Sequence, residues 1–212
     1  MTIQHHLDDV TLLAYTTGNL PEAFSLIVAS HVSLCDTCRS AAESMDAVGG
    51  ALLEDVEVAP MGAQSLPRMM ELLEDTPAAP LQRYSKGVLP APLQDYVGGD
   101  IDSIRWRPVG MGVKQAILPT SKDASARLLF IPAGAAMPDH SHGGTEMTLV
   151  LQGAFRDDEG LFARGDIEIT DENVTHTPVA DISEDCICLA VTDAPLQFKG
   201  WLPKVVQRIV RI

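Results

Sequence analysis

Three metal-binding side chains, His31, Cys35 and Cys38, lie within eight residues of one another near the start of the chain. On a helix, the i, i+4 step places His31 and Cys35 on one face, and a C-x-x-C step lets both sulfur atoms reach one ion. The pair His5–His6 lies upstream, and either imidazole would complete a tetrahedral His₂Cys₂ site. Because neighbouring residues differ by ~100° around a helix, only one of the two should face the ion. The spacing of these ligands therefore predicts that the first part of the chain is a small domain folded around a bound metal ion.

The composition is that of a packed protein with a strongly acidic charge. Of the 212 residues, 46% are apolar, and the formal net charge is -14. A polyanion repels a phosphate backbone, so we expect no direct binding of nucleic acid. Because the sequence has no run of eighteen apolar residues and no secretory signal, we expect no membrane association and a cytoplasmic location. The four cysteines form two close pairs, which in such a compartment indicates metal or redox sites rather than disulfides.

Apolar periodicity predicts three helices between about residues 7 and 53. We expect Asp36 or Thr37 to cap the third helix and Gly49–Gly50 to end it. Three short helices bury little apolar surface, so a bound metal would supply much of the stability of this part.

The next segment has the composition of a linker. Six of the fourteen prolines fall between Pro60 and Pro92. Within it, Ser65 is the predicted N-cap of one further helix, whose apolar surface consists of Leu66, Met69, Met70, Leu72 and Leu73. Such a helix either packs on its own domain or docks on a partner.

After about residue 93 the pattern changes to short apolar segments separated by Gly, Pro or Asp. The predicted strands cover residues 104–109, 114–118, 126–131, 147–151, 166–170 and 186–192. Many short strands without helical periods between them predict a β-sandwich or barrel. The predicted fold class is therefore two-domain α + β, with a small zinc-stapled helical domain followed by a β-rich domain.

A second group of metal-binding residues lies in the β-rich part. On an extended strand His140 and His142 point to the same face, and Gly143–Gly144 permits a bend that could return Glu146 to the same ion. His176 is the natural fourth ligand, because it is the other histidine of this half. Nitrogen and carboxylate ligands accept Zn²⁺, Fe²⁺, Mn²⁺ or Ni²⁺, so the donors alone do not choose the metal.

Residues 134–153 match the first cupin motif, G-x₅-H-x-H-x₃-E-x₆-G, at every specified position, and the β-rich half therefore resembles a cupin. The second cupin motif is degenerate, because Ala163-Arg164-Gly165 replaces its P-x-G core and Glu168 occupies the usual histidine place. Glu168 could coordinate in place of the later histidine, but we expect a solvated strand residue. The resemblance implies a cupin barrel with a metal held by His140, His142, Glu146 and His176.

The motif H-x₃-C-x₂-C at His31, Cys35 and Cys38 resembles that of zinc-binding anti-sigma domains, and its upstream histidine corresponds to His6 rather than His5. A helical zinc unit and a linker helix followed by a cupin is similar to the ChrR type of anti-sigma factor. The resemblance implies that the first domain binds and inhibits an extracytoplasmic-function sigma factor. It also implies that the cupin-like domain is needed for release in response to singlet oxygen or related oxidants. Zinc is expected in the first domain and again in the cupin.

We therefore predict an anti-sigma domain over residues 1–76, a proline-rich linker over 77–94 and a cupin-like barrel over 95–212. One alternative is an enzyme, a cupin dioxygenase or isomerase with a helical zinc appendage, and another is a metal-dependent adaptor with a different partner. Four protein ligands complete the tetrahedral coordination of zinc and leave no position for a substrate or water. Six-coordinate iron with the same four ligands would keep two coordination positions open. We predict a regulator rather than an enzyme, and the sequence leaves the oligomeric state open.

Two further groups are interpreted as structural. Cys186 and Cys188 lie two residues apart in an apolar strand, where buried small hydrophobes are favoured over a redox pair. The run Asp157-Asp158-Glu159 is interpreted as a solvated turn.

Overall fold

The computed structural model describes residues 2–76, 84–138, 140–141, 143–171, 174–194 and 197–198. Helices come first and strands follow, which confirms the predicted fold class. The helices are α1 (Asp9–Thr16), α2 (Glu22–Leu34), α3 (Asp36–Glu54), α4 (Ser65–Asp75) and α5 (Ala91–Val97). The strands are β1 (Arg107–Gly110), β2 (Val113–Ile117), β3 (Ser125–Ile131), β4 (His140–Ser141), β5 (Glu146–Gln152), β6 (Ala154–Arg156), β7 (Leu161–Ala163), β8 (Ile167–Thr170), β9 (Thr175–His176), β10 (Val179–Ala180), β11 (Cys186–Thr192) and β12 (Gln197–Phe198).

Helices α1, α2 and α3 pack against one another at the start of the chain. The predicted cap of α3 is wrong, because the residue before the helix is Cys35, whose Sγ accepts the backbone N–H of Cys38. Neither Asp36 nor Thr37 precedes the helix, since both lie within it. The helix also continues past the predicted glycine stop to Glu54. The cysteine pair therefore forms the turn between α2 and α3.

The predicted strands correspond to a six-stranded antiparallel sheet in the order β1-β2-β3-β11-β5-β8. Every residue of the inner strand β11 is buried, which means that both faces of the sheet are covered there. Two smaller sheets, in the orders β10-β6-β7 and β12-β4-β9, are formed from strands of two or three residues. The two-residue strands β4 and β9 pair with each other and bring two predicted ligand segments together.

Helix α2 packs against the six-stranded sheet, so one apolar core runs from the helices into the β half. Ile27 of α2 and Leu189 of β11 both belong to this core and are inaccessible to solvent. At the start of α2, the Glu22 carboxylate accepts hydrogen bonds from the Tyr96 hydroxyl at 2.7 Å and the Ser121 backbone N–H at 2.6 Å. These contacts fix the orientation of α2, and therefore of the histidine in its last turn.

Helix α5 was not predicted, and it overlaps the end of the segment interpreted as a linker. Pro90 precedes it, and the buried Gln94 amide accepts the N–H of Ser85 and donates to the carbonyl of Leu89. Among the described residues, no helix combines the length and apolar character needed to cross a membrane.

Candidate metal centres

The four residues predicted to bind the first metal come together in the helical half. His6 precedes α1, His31 lies in the last turn of α2, and Cys35 and Cys38 form the turn into α3. One ligand atom from each residue can be chosen so that all four lie within 4.8 Å of one another. The fold therefore brings His6, which is distant in sequence, to the same site as the three neighbouring ligands.

The interatomic distances in this cluster are those of groups that face a common centre. His6 Nδ1 lies 3.3 Å from Cys35 Sγ and 3.6 Å from Cys38 Sγ. The rings of His6 and His31 stand nearly perpendicular, with their centroids 6.4 Å apart. His5, the alternative ligand, instead places its ring 4.2 Å from that of Phe162. His6 is thus the member of the histidine pair that the structure brings to the cysteines.

The environment of the cluster fits a soft divalent cation. His31 is fully buried, and within the described part of the chain neither of its ring nitrogens makes a hydrogen bond of normal geometry, although the backbone of Gly165 lies close to the ring. Burial lowers the pKa of His31 to about 4, so the imidazole is neutral, as metal coordination requires. Burial also raises the pKa of the Cys38 thiol to about 11. A cation would satisfy the His31 nitrogen and supply the positive charge that stabilises two buried thiolates.

A second cluster, formed by Asp157, Glu168 and His176, lies inside the β half. His176 Nδ1 is 2.8 Å from Asp157 Oδ2 and 3.2 Å from Glu168 Oε1. Our interpretation of Asp157 and Glu168 as solvated residues is wrong, because both side chains are buried. The reason is the strand period of two: Asp157 follows buried Phe155 on the same face, and Glu168 lies on the inward face of β8.

The charges of this second cluster are strongly coupled. Burial alone would lower the pKa of His176, but its contacts with Glu168 and Asp157 outweigh burial and raise that pKa to about 9. Burial raises the pKa of Glu168 to about 7. An ionised carboxylate only accepts hydrogen bonds, so the Nδ1 of His176 carries the proton towards Asp157. Nε2 is then the nitrogen that would bind a metal, in the arrangement common for metal-bound histidine.

Two of the remaining predicted ligands of the β half, Glu146 and His140, belong to segments that lie beside His176. A cavity of about 80 Å³ is lined by Glu146, Glu168 and His176, among other residues. The backbone of His140 pairs with that of His176 across strands β4 and β9. His142 lies outside the described residues. The structure therefore places the side chains of Glu146 and His176 at one cavity and pairs the backbone of His140 with that of His176.

Three comparisons with known proteins identify the family. Residues 94–196 match the family described as the ChrR Cupin-like domain. The anti-sigma-E factor ChrR of Cereibacter sphaeroides is 54% identical over the full length of both chains. A chain in the crystal structure of Rhodobacter sphaeroides SigE in complex with the anti-sigma ChrR is 52% identical, with a TM-score of 0.81 over 90% of this chain and 99% of that chain. The chain belongs to the ChrR family of anti-sigma factors.

Membership of the ChrR family decides between the functional classes considered above. A ChrR anti-sigma factor is a regulator, so the interpretation as a cupin dioxygenase or isomerase is set aside. The match over residues 94–196 also identifies the β half as the cupin-like part of a ChrR protein. The first metal cluster accordingly lies in the helical part that precedes the cupin-like region.

The second cysteine pair lies within the sheet of the ChrR cupin-like part. As predicted, Cys186 and Cys188 are both buried in β11, and both are free thiols. The contact with Cys186, together with burial, raises the pKa of Cys188 well above the usual range for a thiol. A thiol in this environment is protonated and packs as a small hydrophobic side chain.

Proposed function

We propose that this chain binds an extracytoplasmic-function sigma factor through its helical half and inhibits it. The related ChrR chain of known structure is in complex with SigE, which supports a sigma factor as the partner here. The observation that carries the proposal is an apolar helix surface that stays exposed within the described part of the chain.

Helix α4 presents that surface. Its apolar side chains are all half exposed or more, namely Leu66, Met69, Met70, Leu72 and Leu73. A contiguous apolar face of this kind marks an interaction site, and an amphipathic helix laid into a groove is a common mode of protein recognition. Around it, residues 1–92 carry 12 acidic against 4 basic side chains. This charge complements the basic DNA-binding faces of a sigma factor and would speed association.

We propose zinc as the metal of the helical half, held by His6, His31, Cys35 and Cys38. Two thiolates and two imidazoles form a closed tetrahedral shell, which is typical of structural zinc. When bound, zinc would cross-link the segment before α1 to the turn between α2 and α3. The inhibitory unit would be residues 1–76, joined through residues 77–94 to a sensing unit at 95–212.

We propose that the cupin-like half holds a second metal ion, and that this ion is zinc. Its proposed ligands are His140, His142, Glu146 and His176. Singlet oxygen or a related oxidant would act on this half and cause release of the sigma factor. A ChrR protein has its partner in the transcription machinery, which supports a cytoplasmic location and a role without direct nucleic-acid contact.

A pH effect tests the second metal site. We expect the affinity of the full chain for Mn²⁺, which thiolate pairs disfavour, to rise about tenfold between pH 7 and pH 8. The reason is that the folded-state pKa of His176 is about 9, so the imidazole is protonated at both pH values and must release one proton to bind. Electron paramagnetic resonance of free Mn²⁺ measures the affinity.

Two aspartates provide the control for this pH effect. Asp157→Asn removes a carboxylate that stabilises protonated His176, so the rise in affinity with pH should become smaller. Asp158→Asn changes an exposed neighbour and should leave the rise unchanged. An affinity that does not vary with pH in the unaltered chain would remove His176 from the ligand set.

The direct test of the proposed partner is co-purification. The full chain is expressed with an extracytoplasmic-function sigma factor from the same organism, and the complex is isolated through a tag on the sigma factor. We expect both chains in one peak of gel filtration, with zinc present. Recovery of the sigma factor alone, while the chain itself is folded and zinc-loaded, would refute the proposal.

A further inference from the structure

The segment before α1 carries His6, and the residues just before His6 are bound by the β half. The backbone N–H groups of Gln4 and His5 both donate to Oδ1 of Asp166, at 2.6 and 2.9 Å. The other oxygen of this carboxylate accepts the N–H of Ala163 at 2.8 Å. Asp166 is buried and lies in the turn between β7 and β8, 162 and 161 residues along the chain from Gln4 and His5.

Shape complementarity adds to these hydrogen bonds. Gly165, in the same turn, has a φ of +91°, and a Cβ there would lie only 2.6 Å from Cδ1 of Ile3. The ring of His5 lies 4.2 Å from that of Phe162, at the other end of the turn. The carbonyl of His5 also faces the N–H of Ile167 at 3.4 Å. The segment thus fits against the β7–β8 turn through backbone and side chains.

The four candidate ligands differ in how they are positioned. His31, Cys35 and Cys38 lie in α2, in α3 and in the turn that joins them, so these two helices determine their relative positions. His6 belongs to neither helix; buried Leu7 anchors the chain on one side of it, and the contacts of residues 2–5 anchor it on the other. A buried carboxylate that accepts two adjacent backbone N–H groups forms strong, directional hydrogen bonds, and these fix the backbone immediately before His6.

We infer that Asp166 is a positioning residue for His6, so that the cupin-like half completes the metal centre of the helical half. The inference rests on the proposed function, from which it takes the metal site. It adds a structural link between the two halves, because Asp166 directly precedes β8, the strand that carries Glu168 into the second cluster. A displacement of β8 would therefore move the acceptor that holds the His6 segment.

The test uses the full chain loaded with cobalt(II) alone. Thiolate-to-cobalt charge-transfer absorption reports the cysteine-ligated site, and its decay in excess EDTA gives the rate of metal loss. Removing groups that orient metal ligands typically weakens binding by about 10–100-fold. We expect Asp166→Ala to lose cobalt about tenfold faster than the unaltered chain. Asp166→Asn, which keeps one acceptor oxygen, should lie between the two.

Substitutions in the His6 segment itself test the same contacts without changing any residue of the β half. One variant removes contacts with the β7–β8 turn, and a second variant is its control. Ile3→Ala with His5→Ala removes the contacts with Gly165 and Phe162 and should also speed cobalt loss. Gln4→Ala is the control, because the Gln4 side chain is exposed and donates to the nearby Thr2 carbonyl, and the substitution retains its backbone N–H. Far-UV circular dichroism and the thermal midpoint verify that each variant is folded.

Each outcome decides the inference. If folded Asp166→Ala retains cobalt as long as the unaltered chain, the inference is overturned and the proposed function is unaffected. If Asp166→Ala does not fold, the rate of cobalt loss is compared for the Ile3→Ala/His5→Ala variant and the unaltered chain. Faster loss supports the inference, and equal rates overturn it. If the unaltered chain shows no charge-transfer band with cobalt, the proposed metal site itself fails, and the inference fails with it.

Discussion

Replacing Cys35 with alanine is expected to remove the metal from the helical half and to abolish inhibition of the sigma factor. In zinc-finger peptides, structural zinc contributes an apparent binding free energy of about 10–16 kcal/mol at neutral pH, and those peptides are unfolded without it. Helix α2 is also held by the sheet, through residues such as Ile27. We therefore expect α1 and α3 to unfold, with a loss of helical circular dichroism and of one zinc per chain.

The other cysteine pair supplies the control. Cys188 is as buried as Cys35, at 2% exposure, but lies in β11 away from the first cluster. Cys188→Ala should therefore retain the zinc of the helical half and the inhibition of transcription. If Cys35→Ala still holds that zinc and still inhibits, the cysteine pair is not the structural centre of the inhibitory unit. If both variants fail equally, the loss reflects general destabilisation rather than the metal.

Truncating the exposed face of α4 is the second change with a large expected effect. Met69→Ala together with Leu73→Ala should weaken sigma-factor binding about 30-fold or more, since buried anchors at interfaces contribute about 1–2 kcal/mol each or more. The two side chains are one helical turn apart and exposed, and alanine favours helix, so the free chain should keep its stability. Fluorescence anisotropy with a labelled sigma factor measures the affinity.

The opposite face of α4 provides a matched double-alanine control. Arg68→Ala with Glu71→Ala changes two polar residues of the same helix and should alter the affinity by less than about threefold, as exposed charges contribute little. Equal losses in the two double variants would show that the helix as a whole, and not its apolar face, is needed. No loss in the Met69/Leu73 variant would place the sigma-factor surface elsewhere on the chain.

The large sheet could be predicted from the sequence because its central strands, β3, β5 and β11, are seven-residue segments rich in apolar side chains. The smaller sheets could not, because strands such as β4 and β9 contain two residues and have no periodicity to recognise. The packing of α2 on the sheet was not predicted either. The sequence does contain a signal for it, since residues 186–192 are apolar at nearly every position, and such a strand needs cover on both faces.

The first metal cluster was predictable because its spacing alone places three ligands together. The second cluster was predicted only at His176. Glu168 alternates with Ile167 and Ile169, and such a pattern ordinarily places the charged residue on the solvated face. Polar residues inside a barrel follow the same period of two as apolar ones. The role of Asp166 had no sequence signal, because its partners lie 161 and 162 residues away and bind through backbone atoms.

The most direct test of the central claim is run-off transcription with RNA polymerase and an extracytoplasmic-function sigma factor from the same organism. Increasing amounts of the zinc-loaded full chain are added before the promoter DNA. The account predicts that transcription falls to background at about one chain per sigma factor, and that it remains high when the Cys35→Ala variant is added instead. Transcription that stays unchanged at an excess of folded, zinc-loaded chain would contradict the account.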